Sequence, residues 1–82
     1  MDVTRLYHDL EGHNQVFEYF LALKNQMAQI ESDLSDFDFH GINSRLQNRI
    51  FVSLEKFREA VADVERVARQ NVTNVEARLN GD

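Results

Sequence analysis

Two stretches of this sequence repeat apolar residues at alternating steps of four and three. Val16, Phe20, Leu23, Met27, Ile30, Leu34 and Phe37 form the first, and Leu54, Phe57, Val61, Val64 and Ala68 the second. An α-helix turns once in 3.6 residues, so this alternation lays side chains along one narrow stripe. Val3, Leu6, Leu10 and His13 extend the first stripe upstream. Ile42, Leu46 and Ile50 precede the second, and Val72, Val75 and Leu79 follow it. No segment alternates at period two for long enough to build a strand. The chain is therefore expected to be all-α. One helix is predicted over about residues 3–36, a turn over about 37–42 and a second helix over about 42–79, in a single domain spanning 1–82.

Breakers are scarce. Proline is absent, and glycine stands only at Gly12, Gly41 and Gly81. Gly41 lies near the midpoint and can take the positive φ that a sharp reversal often requires. Ser44 with Gln47 has capping-box spacing, and Asp38 is an alternative N-cap for the second helix. Gly12 could end a short first helix, with Asn14 capping the next. The step from Leu10 through His13 to Val16 and the step from Ala68 to Val72 are irregular at matching levels, which favours two continuous helices.

Two helices of equal length about a reversal at residues 39–41 read as an antiparallel hairpin. Even pairing about that point sets Leu34 against Leu46, Ile30 against Ile50, Met27 against Leu54, Leu23 against Phe57 and Phe20 against Val61. The expected intramolecular core is Leu23, Met27, Ile30, Leu34, Leu46, Ile50, Leu54, Phe57 and Val61. Charges fit the same register: Glu31 with Arg49, Lys24 with Glu55, Glu11 with Arg69, Arg5 with Glu76 and Asp2 with Arg78. Each such surface pair contributes about 0.2–1 kcal/mol, enough to favour a register but not to hold a fold.

A second stripe remains. Leu10, Phe17, Leu21 and Ala28 follow one another at helical spacing on a face rotated from the first, and Phe51 and Val52 lie away from the second helix's core face. Burying one large apolar side chain is worth about 1.5–3 kcal/mol. Leu10, Phe17, Leu21, Phe51 and Val52 are therefore the expected dimer interface of a four-helix bundle, formed with a second copy or with a related hairpin. A chain of 82 residues buries little surface alone, which points the same way.

Chemistry is sparse. Cysteine is absent, which removes disulfides and thiolate metal sites. His8 and His13 are not at ligand spacing and His40 falls in the turn, so no metal site is expected. Asp33, Asp36 and Asp38 read as partners for Arg45 and Arg49 or as caps, not as an acid–base pair. There is no phosphate-binding glycine loop, no nucleophile elbow and, in a two-helix hairpin, no deep pocket. An enzyme, a cofactor and a small-molecule substrate are not expected. The net charge is −5, with eight acidic and two basic side chains in residues 1–40 and six acidic and seven basic in 41–82. That balance argues against nucleic acid and for attraction between the halves. No apolar run reaches the length of a membrane span, and the first residues lack the apolar core of a signal peptide. The expected location is the cytoplasm, or outside the cell by a route without a cleaved signal.

The opening Val3-Thr4-Arg5-Leu6, the two long helices and Phe39-His40-Gly41 between them resemble the small secreted helical hairpins with a Trp-x-Gly turn. These are the early secretory antigenic target class exported by type VII secretion. The resemblance covers most of the chain. It implies hairpins that pair into homo- or heterodimeric four-helix bundles, with Phe39 packed at the tip in place of Trp and Gly41 letting the chain reverse. The family's export motif, Tyr followed four residues later by Asp or Glu, is absent; Val72 and Glu76 have that spacing without the aromatic. The implied function is a protein–protein interaction module acting as a dimer. The alternative is a cytoplasmic coiled-coil adaptor or secretion chaperone that is not itself exported.

Overall fold

The computed structural model describes residues 3–81. Two helices, α1 (Val3–Ser35) and α2 (Ser44–Leu79), pack along each other as an antiparallel hairpin 62 Å long and about as thick as two helices. Among the described residues there is no strand. The helix α1 runs through Gly12 without a break.

The reversal is built from aromatic packing and one glycine. Ile42 N–H donates to the Phe39 carbonyl at 3.0 Å, and Gly41 between them has φ +80°. That is the arrangement of a type II turn, whose third residue needs positive φ. Phe39 packs edge-to-face on Phe37 and on Phe51, with ring centroids 5.1 and 6.0 Å apart. The N-cap of α2 is Asn43, not Ser44 or Asp38: its side-chain oxygen accepts from Leu46 N–H at 3.0 Å. Gln47 turns back one residue further, donating to the Ile42 carbonyl at 2.7 Å. Asn43 takes the role because its extended backbone, φ −70° and ψ 158°, aims its short side chain at the free N–H groups of the first turn.

Register differs from even pairing about residues 39–41. Glu31 meets Arg58 instead of Arg49, at 3.0 Å. Arg69 bonds Glu65 and lies over the Phe17 ring, 5.6 Å from its centroid, instead of reaching Glu11. The expected pair of Asp2 with Arg78 lies outside the described residues. The cause is the tip. Residues 36–43 climb past the end of α1, and Phe39 seats itself against Phe51, two turns into α2. The first turns of α2 therefore project beyond α1. A helix of 36 residues is about 54 Å long at 1.5 Å per residue, so the 62 Å length reflects this stagger.

Between the helices the most enclosed residues are Met27, Val61, Ala68, Val75 and Glu65. Leu6, Leu10, His13, Phe17, Phe20, Leu21, Leu23 and Leu34 of α1 are half-buried, as are Leu54, Val72 and Leu79 of α2. Four residues expected in the core are exposed: Ile30, Leu46, Ile50 and Phe57, the last at 53%. The reason is geometric. A stripe at steps of four and three is two parallel rows seven residues apart. The contact line of two helices encloses one row, here Phe20, Met27 and Leu34 against Leu54, Val61 and Ala68.

Candidate functional site

The other row makes the candidate site. On α1 it is Val16, Leu23 and Ile30; on α2 it is Ile50, Phe57 and Val64. Residues seven apart stay on one helix face, drifting only about 20° per step. Val16 and Val64 line one groove together with Val67, Asp63 and Asn71, so the two rows lie on the same side of the hairpin. Ile30 and Phe57 each precede a member of the Glu31–Arg58 pair and so sit at one level. One heptad along, Leu23 and Val64 do the same. At the tip the face runs into an open cleft of about 450 Å3 lined by Phe39, Ile42, Leu46 and Ile50, with Arg49 and Gln47 at its edge.

The opposite side is closed by polar groups. Arg58 Nη1 donates to Glu31 Oε2 there, beside Ser35, Phe51 and Leu54. Further along, Arg69 covers Phe17 and donates to Glu65 Oε1 at 2.6 Å. Glu65 is 4% exposed, a carboxylate enclosed in the helix–helix contact with an exposed arginine as its partner. The hairpin thus has one side bridged by charges and one side apolar and uncovered.

Placement of the expected dimer residues follows. Leu10, Phe17 and Leu21 are half-buried and lie on the side of α1 that carries Glu31, not on the side of Ile30. Phe51 packs edge-to-face on Phe39 at the tip and is still 37% exposed. Val52 is exposed and lines a shallow cleft with Ser44, Arg45, Asn48 and Arg49. Which row stays open was not readable, since Phe20, Met27 and Leu34 repeat at the same sevens as Val16, Leu23 and Ile30. Glu65 carried no signal either, because nothing in its neighbours marks it as enclosed.

The hairpin exposes 6496 Å2, whereas a compact folded chain of its 9.6 kDa exposes about 5,100 Å2. The excess, about 1,400 Å2, comes from its elongated shape and is spread over all its faces.

Among the described residues no group of three or more His, Cys, Asp or Glu is placed to hold a metal ion, and no helix is long and apolar enough to cross a membrane. His8 and His40 are exposed and His13 is half-buried, on separate turns of the fold. Compared with protein-family models, with curated proteins and with solved structures, the chain matches none.

Proposed function

We propose that this chain is a non-enzymatic protein–protein interaction module that works as a dimer, two hairpins closing into a four-helix bundle over the open face. The observation that carries the reading is the exposed Val16 and Ile30 beside Ile50, Phe57 and Val64, with half-buried Leu23 in the same row. Water contact on these side chains is unfavourable at about 25 cal/mol per Å2, and bundle formation removes it. A type VII-like hairpin is the class this reading favours. In its support, Phe39 packs at the tip between Phe37 and Phe51 while Gly41 carries the reversal. On that reading the protein acts outside the cell. The second reading, a cytoplasmic adaptor or secretion chaperone, shares the face and differs in location.

Sedimentation equilibrium tests the dimer directly, with an expected mass of twice 9.6 kDa. A monomer at all concentrations up to the millimolar range overturns the reading. Detection in culture supernatant without lysis separates the two locations. Retention inside intact cells favours the adaptor.

A further inference from the structure

We propose that the occupant of the open face is a second copy in parallel orientation, tip beside tip, so that α1 of each hairpin lies on α2 of the other. This inference rests on the dimer reading above and adds the arrangement that the charges select.

Two symmetric pairings can bring the open faces together. In the antiparallel one, α1 lies on α1 and α2 on α2. In the parallel one, each α1 is flanked by two α2 helices, its own and its neighbour's, and the two α1 helices sit on the diagonal. Within α1 stand five acidic and two basic side chains, a formal −3, and within α2 seven basic and five acidic, a formal +2. Placing two such acidic helices side by side is repulsive, whereas the diagonal keeps them apart.

The margins of the face agree. Arg49, Lys56 and Asp63 each precede a member of the α2 row and line its outer edge; Asp63 and Arg49 already border the two clefts. Tyr19, Gln26 and Asp33 lie at the outer edge of the α1 row by the same spacing. Tyr19 is 66% exposed. In the parallel pairing Asp33 comes between Lys56 and Arg49 of the second copy, and Ile30 rests on its Phe57, Leu23 on its Val64. In the antiparallel pairing Arg49 can reach Asp63, but Lys56 meets Lys56 beside the central Phe57. The face is also displaced toward the tip, since α2 overhangs α1 there and Leu46 and Ile42 extend it. In the parallel pairing that overhang meets residues 36–43 of the second copy, since its α1 ends at Ser35.

The chain contains no cysteine, so a single His40→Cys at the exposed tip carries one nitroxide label per copy. Helices pack about 8–10 Å apart, so parallel copies place the labels about 20 Å from each other. Antiparallel copies matched about Phe57 place them about 40 Å apart, at 1.5 Å per residue from the centre of the face to the tip. Electron–electron distance measurement on the dimer reads the difference. A charge exchange gives a second reading: Asp33→Lys should weaken the dimer about tenfold, and adding Lys56→Asp should restore it. A distance near 40 Å, or no restoration, overturns the parallel arrangement and leaves the dimer standing. A labelled chain and a wild type that are both monomeric overturn the dimer itself.

Discussion

Arg58 donates to Glu31 across the two helices at 3.0 Å, tying them on one side, while Ile30 and Phe57, the residues just before them, project onto the other. One step along a helix is about 100° of rotation. A single level of the hairpin therefore presents an ion pair to one side and an apolar pair to the other. The ion pair is part-exposed, so it contributes about 0.2–1 kcal/mol and acts chiefly on register. The apolar pair is what a lone hairpin leaves in water.

That division separates two substitutions of similar chemistry. Phe57→Asp should leave each hairpin helical and halve the mass in solution, because the aspartate of an isolated hairpin stays hydrated. Val61→Asp, one turn further on, buries a charge where the wild-type side chain is 2% exposed and should abolish cooperative unfolding by circular dichroism. Equal loss of helicity in both variants would contradict the assignment of Phe57 to the outer face.

At the start of α2, Asn43 rather than Ser44 accepts the capping hydrogen bond. Asn43→Ala should cost about 0.5–2 kcal/mol of stability and Ser44→Ala a few tenths, read from thermal unfolding at fixed protein concentration. Gly41→Ala, at φ +80°, should cost about 1–2 kcal/mol, since a Cβ disfavours that backbone.

Gly12 makes the opposite prediction. It lies inside α1, and a Cβ built there meets no atom within 4 Å. Gly12→Ala should therefore stabilise the chain by about 0.5–1 kcal/mol through helix propensity alone. A loss of stability would mean that another copy approaches the backbone closely at this point.

These cases show how far residue order carries. Both helices and the reversal at Phe39 to Gly41 follow from periodicity and one glycine, because those signals are local. Which row of a stripe turns inward is not local. Leu23 with Phe57 and Met27 with Leu54 satisfy the same alternation as the staggered arrangement, and charges such as Glu31 find an arginine in either register. Stagger was settled by Phe39 lodging against Phe51, a contact between a loop residue and a helix that no repeat encodes. The same displacement brought Phe17 under Arg69, whereas Phe57 is outside because the contact line encloses the other row.

Glu65 shows a choice that periodicity would not make. It stands in the α2 seam between Val61 and Ala68, with Arg69 as its hydrogen-bond partner. A carboxylate removed from water must be compensated, and replacing such a group by an apolar side chain of similar volume is often neutral or stabilising. Glu65→Leu should leave the unfolding temperature unchanged or raise it. Arg69→Ala should lower stability by about 1–3 kcal/mol, because it leaves the Glu65 carboxylate enclosed without its partner and strips the cover from Phe17. The two effects must differ in sign. If Glu65→Leu holds stability but yields mixed oligomers by sedimentation, the carboxylate serves to hold one register, as a polar seam residue does in coiled coils.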